Sequence, residues 1–208
     1  MNFRNRYLLF SCTLAILAGC TSDFKNLTRT DSTPCSLEQF KPVFEYEVYT
    51  AKIDVIDKHL SGLLVLKTMP DKSIRAVFQS EMGLTYFDFE WTENGAFEAK
   101  YVVKQMDKQV VITALRKDFE LMLMNRLDTT KAITFTDGVQ MYTRMTDESD
   151  FIYAITDTSC SVLAKMERAS KRKAKVDMYL NATHRIPDSV LIEHKQFKFT
   201  ISLSRILQ

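Results

Sequence analysis

Apolar and polar residues alternate with a period of two along most of this chain, which restricts it to a fold built mainly from β-strands. In the last segment every second residue is apolar: Phe197, Phe199, Ile201 and Leu203. Such alternation turns one side of a strand towards a core and the other towards solvent. The pattern also fills residues 44–101 and returns after residue 128, with turn signals such as Asn94-Gly95 and Asp137-Gly138 between strands. We predict about ten antiparallel strands, because no strand-helix alternation calls for a parallel sheet.

The first strand of this series is expected near residue 44. Phe44, Tyr46 and Val48 alternate there with Glu45, Glu47 and Tyr49. We therefore expect the even-numbered residues to face the core.

One segment departs from the period of two and is predicted to be a helix. Between residues 106 and 124, apolar residues recur every three or four positions, with Asp107 as a candidate N-cap. Four charged residues are expected to face away from the apolar stripe: Lys108, Arg116, Lys117 and Glu120. The β-branched run 110–113 disfavours a helix, but no turn signal interrupts the segment. We expect this helix to cover one opening of a curved sheet.

The first twenty residues have the layout of a leader segment that directs export. Arg4 and Arg6 precede an apolar run from Tyr7 to Leu17, which is closed by Leu17-Ala18-Gly19-Cys20. This order is that of a secretion signal, and the run is shorter than the roughly 20 residues that span a membrane. Its end resembles the lipobox of bacterial lipoproteins. The resemblance implies that residues 1–19 are a signal peptide and that Cys20 becomes a lipid anchor.

Residues 20–38 are polar and show no apolar period, which predicts a flexible tether in front of a domain at 39–208. The resemblance to the lipobox implies that this tether is lipidated. Thr21 occupies the position where an Asp would resemble the inner-membrane retention signal of enteric bacteria. We therefore expect the chain to be lipid-anchored in the outer membrane, facing the periplasm.

Loss of the leader changes both the charge and the cysteine content. Lys+Arg falls from 28 to 26 and then equals the 26 Asp+Glu, so we expect no nucleic-acid partner. With Cys12 removed and Cys20 lipidated, Cys35 and Cys160 are the two remaining thiols. In an oxidising compartment they are a candidate disulfide. The alternative is two buried unpaired thiols, because the sequence does not show their geometry.

A lipobox, an antiparallel meander, one mid-chain helix and a return to strands together resemble the LolA/LolB family of lipoprotein carriers and acceptors. Local similarity is greatest from Leu60 to Met124, in four stretches: Leu60-Ser61-Gly62-Leu63-Leu64, Ser73-Ile74-Arg75-Ala76-Val77-Phe78, Met82-Gly83-Leu84 and Arg116-Lys117-Asp118-Phe119-Glu120-Leu121. The resemblance implies an open half-barrel with the helix as a lid, and an acyl chain or lipoprotein as cargo. Pro42 leaves little room for the family's N-terminal helix.

The resemblance also implies that Met82 and Leu84 form a membrane-inserting turn. The alternative is that Met82 folds back onto the sheet. Residues expected to line a lipid cavity on the concave face are chosen by alternation alone: Leu64, Leu66, Phe78, Phe87, Phe89, Phe199, Ile201 and Leu203.

The sequence offers little for catalysis. His59, His184 and His194 are far apart, show no metal-ligand spacing, and are each expected at the surface. No glycine-rich phosphate loop and no Gly-x-Ser-x-Gly motif occurs. We therefore expect no enzyme activity, no metal and no cofactor, and we expect a monomer.

Two functions are consistent with these sequence features. The first is a membrane-anchored lipid- or lipoprotein-binding protein that accepts or transfers acylated lipoproteins. The second is a non-catalytic scaffold lipoprotein of an envelope complex that uses the same fold without a ligand. A continuous apolar cavity would favour the first, and a cavity filled by Phe and Trp would favour the second. The basic run at 165–175 could contact anionic lipid or keep a hairpin tip soluble.

Overall fold

The computed structural model describes residues 22–55, 58–125 and 127–207, so the predicted signal peptide and Cys20 lie outside the described residues. Thirteen strands and one helix follow in this order: β1 (Thr28–Arg29), β2 (Tyr46–Val55), β3 (Lys58–Thr68), β4 (Ile74–Gln79), β5 (Thr85–Trp91), β6 (Phe97–Val102), α1 (Gln109–Leu123), β7 (Ile133–Thr136), β8 (Gln140–Asp147), β9 (Asp150–Asp157), β10 (Leu163–Ala169), β11 (Ala174–Thr183), β12 (Ile186–His194) and β13 (Phe199–Arg205).

All thirteen strands join one antiparallel sheet, in the order β1-β7-β8-β9-β10-β11-β12-β13-β2-β3-β4-β5-β6. Two meanders, β2 to β6 and β7 to β13, meet where β13 pairs with β2. The described edge strands β1 and β6 do not pair with each other, so the sheet is open. The predicted mainly-β antiparallel class is confirmed. The structure has thirteen strands where about ten were predicted, and two of the additional strands, β1 and β7, have only two and four residues, too few to show alternation.

One face of the sheet, here called the inner face, forms a continuous core with α1. Phe119 of α1 lies against Phe87 and Trp91 of β5, with ring centroids 5.7 and 5.9 Å apart. The preceding residue, Asp118, binds Arg168 of β10. Because β5 and β10 are seven places apart in the sheet, a flat sheet would separate them by about 34 Å. The sheet therefore curls around α1.

The predicted helix is confirmed, although its boundaries differ. It runs from Gln109 to Leu123, and the flanking residue Lys108 makes no side-chain capping bond. The prediction of Asp107 as the N-cap is wrong. Met124 ends the helix in the left-handed conformation and donates its N–H to the Glu120 carbonyl.

The inward face of β2 differs from the expected one. Tyr49, Ala51 and Ile53 are buried, whereas Tyr46 is 53% exposed. β2 continues to Val55, and the apolar residues of its second half decide which face is buried. Because the side-chain period is two, that choice reverses the orientation of Tyr46 and Val48.

The segment predicted to be a flexible tether is attached to the sheet in its described part. Thr28 and Arg29 form β1 and pair with β7. Phe24 stacks on Tyr153 with ring centroids 4.6 Å apart. Phe24 and Leu27 attach the segment by covering a small second core on the face of the sheet opposite α1, here called the outer face. Two apolar residues in a polar segment give no period from which this attachment could be predicted. The expectation of a free coil is therefore wrong for residues 22–38.

Cys35 and Cys160 form a disulfide, with their Cα atoms 5.5 Å apart. The predicted pairing is thereby confirmed, and the alternative of two free thiols is not. The bond fastens the N-terminal segment to the turn between β9 and β10, across a sequence separation of 125 residues.

Gly62 lies where β3 leaves no room for a side chain. A Cβ at this position would be 1.9 Å from the backbone oxygen of Gln79. We expect Gly62→Ala to lower the free energy of unfolding by about 2 to 3 kcal/mol, because β3 and β4 must separate to admit the methyl group. Urea denaturation followed by circular dichroism measures this loss. Ser61→Ala is the matched control and should change stability by less than about 0.5 kcal/mol; equal losses in both variants would contradict the explanation.

Candidate functional site

The eight residues predicted to line a lipid cavity all belong to the inner face. Each is buried, with an exposure of 3% or less, and all are in the same core as α1. In the structure, Phe119, Met122 and other α1 side chains occupy the space above them. The expected open cavity is therefore filled, because the helix packs its apolar stripe directly onto the sheet.

Aromatic rings make up much of this filling. The Phe87 centroid lies 5.5 Å from that of Phe78 and 4.4 Å from that of Phe89. Trp91 continues the row 6.1 Å from Phe89, and Phe97 of β6 lies 5.3 Å from Trp91. Such offset and edge-to-face contacts add to the stabilisation that burial alone provides.

A buried polar cluster fixes α1 to the opposite side of the curled sheet. Asp118, fully buried, accepts a hydrogen bond from Arg168 Nη2 on Oδ1 at 2.9 Å, while its Oδ2 lies 2.7 Å from His194 Nε2. Only 6% of the Arg168 side chain and 5% of the His194 side chain are exposed. The expectation of a surface histidine is therefore wrong for His194. The sequence does contain a signal for this buried cluster. Asp118 lies three residues after Leu115 and four before Met122, which places a carboxylate on the apolar stripe of the helix.

A second polar cluster holds α1 beside the open edge of the sheet. Glu120 accepts hydrogen bonds from Arg116 Nε at 2.8 Å and from Trp91 Nε1 at 3.3 Å. Glu120 is buried, so the prediction that it faces away from the core is wrong. Arg116 also lies over the Phe97 ring, and Lys117 binds Glu148 at 3.2 Å. The helix thus bridges β6 and the turn between β8 and β9.

An open pocket of about 520 Å³, here called the α1 pocket, lies where the helix begins. Its apolar wall includes Val110 and Phe197, which are 74% and 48% exposed. Arg168 and Lys175 line its polar side, and Lys175 is bound by Asp150. Arg168 Nη1 has no hydrogen-bond partner among the described residues. The pocket therefore combines apolar surface with a buried guanidinium group.

The turn between β4 and β5 carries the most exposed large apolar side chain of the described chain. Met82 is 96% exposed and Leu84 is 53% exposed. The Gly83 N–H donates to the Ser80 carbonyl, and the Leu84 N–H donates to Ser80 Oγ. These bonds hold a compact turn from which Met82 projects. Met82 therefore does not fold back onto the sheet.

The basic run at 165–175 does not form one patch. Arg168 points to the inner face, and Lys171, Arg172 and Lys173 occupy the turn between β10 and β11. Lys165 instead lies between two buried carboxylates, 2.9 Å from Glu167 and 3.1 Å from Asp177. Burial raises the pKa of Glu167 against the opposing effect of Lys165.

The other two histidines are at the surface, as predicted. His184 is exposed in a turn, and His59 lies 2.6 Å from Asp54. Within residues 22–55, 58–125 and 127–207, no group of three or more His, Cys, Asp and Glu side chains could hold a metal ion.

Comparison with protein families and with curated proteins gives no relative for this chain. No protein-family model matches it. No curated protein matches its sequence. Over the described part of the chain, no helix combines the length and the apolar character needed to cross a membrane.

Proposed function

We propose that this chain is a lipid-anchored outer-membrane protein that binds an acyl chain under α1 and hands acylated cargo to the membrane. The observation that carries the proposal is a continuous apolar inner face covered by a single helix, so that displacement of this one element would turn the filled core into an apolar cavity. In this proposal the curled sheet is a half-barrel of the LolA/LolB type, Cys20 carries the anchor, and α1 is the lid.

Two features of α1 support its role as a lid. Its contacts with the sheet include two buried polar clusters, at Asp118 and Glu120, in addition to apolar packing. The hydrogen bonds of such clusters are directional, so they fix one position of the helix on the sheet. Apolar contacts alone would allow the helix to shift along the sheet. The α1 pocket lies at the helix start and offers an entrance of a volume ordinary for small ligands. Displacement of α1 would extend this pocket over the eight predicted lining residues.

A second candidate is the non-catalytic scaffold, favoured by a different observation. The row of rings from Phe78 to Trp91, closed by Phe119, fills the inner face as a solid core does. A rigid platform in an envelope complex would use the same fold with α1 as a permanent part of that core.

Depletion of the protein in its native host separates the two functions. A carrier or acceptor should leave acylated lipoproteins stranded in the periplasm when it is removed, because their acyl chains lose their route to the outer membrane. Fractionation of periplasm and outer membrane, followed by immunoblotting of several lipoproteins, measures this. Normal lipoprotein sorting after depletion would overturn the carrier proposal and leave the scaffold.

The exposed turn supplies a point substitution that tests delivery to the membrane. Burial of the Met82 side chain in lipid is worth roughly 1.5 to 3 kcal/mol, which a carboxylate at this position would forfeit. We expect Met82→Glu to reproduce the sorting defect of depletion while changing the free energy of unfolding by less than about 0.5 kcal/mol.

Val139→Glu is the matched control for this substitution. Val139 is 76% exposed in the turn between β7 and β8, so the change has the same chemistry at another turn. It should leave both sorting and stability unchanged. A Met82→Glu variant that sorts lipoproteins normally would contradict the role of this turn, and one that unfolds easily would show that Met82 stabilises the fold.

A further inference from the structure

The turns of an antiparallel meander lie alternately at its two ends, which divides the described turns of the two meanders, together with the segment that follows β6, into two sets. One set contains residues 80–84, 103–108, 148–149, 170–173 and 195–198, and we call it the cationic rim. The other set contains residues 69–73, 92–96, 137–139, 158–162 and 184–185, and we call it the far rim. Met82 belongs to the cationic rim and Val139 to the far rim.

Charge is distributed unequally between the two rims. The cationic rim has seven basic residues, Lys104, Lys108, Lys171, Arg172, Lys173, Lys195 and Lys198, against three acidic ones, Glu81, Asp107 and Glu148. The far rim has two basic residues, Lys72 and Arg185, against three acidic ones, Asp71, Glu93 and Asp137. All seven basic residues of the cationic rim are exposed. The two ends of the sheet therefore differ strongly in net charge, although the total charge of the chain is near neutral.

The start of the described chain is attached to this same rim. Asp23 Oδ1 accepts a hydrogen bond from Lys173 Nζ at 3.0 Å, and its N–H donates to the Arg172 carbonyl at 2.9 Å. The hydrogen bond from Lys173 also lowers the pKa of Asp23. Cys20 precedes Asp23 by three positions in the sequence, and three residues of fully extended chain reach at most about 11 Å. An acylated Cys20 would therefore tether this end of the domain to the membrane, and the charges of the cationic rim would decide whether the rim rests on the lipid surface.

Exposed apolar side chains complete the rim. Met82 projects from the turn between β4 and β5, and Phe197 lies in the turn between β12 and β13. Val110, near the start of α1, lines the α1 pocket together with Phe197. Basic residues around a few exposed apolar ones are the composition of a surface that rests on lipid head groups.

We infer that the cationic rim docks on an anionic lipid bilayer, with the α1 pocket open towards the membrane. This inference rests on the proposed lipid anchorage and names the lipid that the anchored domain faces. Each Lys or Arg near an anionic surface strengthens docking by about fivefold. Lys171 and Arg172 form no ion pair with another described residue, so their charge is available to lipid.

Proximity to lipid is the quantity to measure, because the anchor attaches every variant to vesicles. The acylated full-length chain is reconstituted into vesicles of phosphatidylcholine, with or without phosphatidylglycerol. A fluorophore is placed at Gln196→Cys on the cationic rim or at Asn94→Cys on the far rim, and energy transfer to an acceptor on lipid head groups is recorded. We expect strong transfer from residue 196 only in the anionic vesicles, its loss at high salt, and weak transfer from residue 94 throughout.

Charge reversal supplies the decisive comparison. Lys171→Glu with Arg172→Glu should lower the docking equilibrium at least about 25-fold, since two favourable charges are lost. Lys67→Glu with Lys72→Glu makes the same change near the far rim and should alter docking less than twofold. Equal transfer from residue 196 in neutral and anionic vesicles, or equal effects of the two double variants, would overturn the inference.

Failure of the anchorage itself gives a different result. A chain without lipid on Cys20 would not sediment with neutral vesicles at all. Sedimentation with the anionic vesicles then decides the inference. The unmodified chain should sediment with these vesicles, and the double variant Lys171→Glu with Arg172→Glu should not. Continued sedimentation of that double variant would overturn the inference.

Discussion

Asp118→Ala is expected to lower the free energy of unfolding by about 3 to 5 kcal/mol. The substitution removes the carboxylate that both Arg168 and His194 bind, and it leaves the Arg168 guanidinium buried without a counter-charge. Breaking one side of a buried ion pair costs this much because the remaining charge cannot return to water. Urea denaturation followed by circular dichroism measures the loss, and hydrogen exchange of the α1 amides shows whether the helix detaches first.

Two further variants identify the cause of this loss. Asp107→Ala removes an exposed carboxylate just before α1 and should change stability by less than about 0.5 kcal/mol. Asp118→Leu combined with Arg168→Met replaces the pair by apolar side chains and should recover most of the stability. A loss of less than about 1 kcal/mol in Asp118→Ala would show that Arg168 and His194 find other partners, and that the cluster does not hold α1.

The period of two predicted the strands well because it records burial on one side of a sheet. Leu64 and Leu66, or Phe199, Ile201 and Leu203, face the core as the alternation indicates. Alternation gave the wrong face at the start of β2. The pattern near residue 44 predicts burial of the even-numbered residues, whereas β2 buries odd-numbered ones such as Tyr49 and Ala51. A short window cannot decide between the two faces when apolar residues occupy both, as at Tyr46 and Tyr49.

Strand order was beyond the reach of local pattern. The pairing of β13 with β2 joins residues such as Leu203 and Ala51, about 150 positions apart in the chain, and no turn signal encodes it. β1 has two residues, and its pairing with β7 depends on Phe24 and Leu27 reaching the outer-face core. Both pairings join segments that are far apart in the sequence, so a local pattern of residues cannot predict them.

The candidate site was predicted in its apolar part and missed in its polar part. The eight residues share the inner face as the alternation indicates, but whether α1 fills the space above them depends on packing that alternation does not describe. Asp118, Glu120, Arg168 and His194 were assigned to the surface or passed over because charged residues are usually exposed. Their burial depends on partners from elements far apart in sequence: Asp118 from α1, Arg168 from β10 and His194 from β12.

Loss of the disulfide is expected to be the other large change in stability. The Cys35–Cys160 bond closes a loop with a sequence separation of 125 residues. In the chain-entropy model, opening a loop of this length costs about 4 to 5 kcal/mol, because the unfolded chain regains the freedom that the bond had removed. We expect Cys35→Ala with Cys160→Ala to lower the free energy of unfolding by about this amount and the melting temperature by about 10 °C.

Reduced wild-type protein is the matched control, because it has both cysteine side chains without the bond. The free energy of unfolding of the reduced protein should equal that of the double variant to within about 1 kcal/mol, below that of the oxidised protein. Segment 22–38 should then be the first to lose protection in hydrogen exchange, since β1 contributes only two residues of pairing. If both forms instead keep the stability of the oxidised protein, β1 and the contact of Phe24 with Tyr153 are sufficient to hold the segment. The bond would then serve neither the stability of the domain nor the attachment of the anchor segment to the cationic rim.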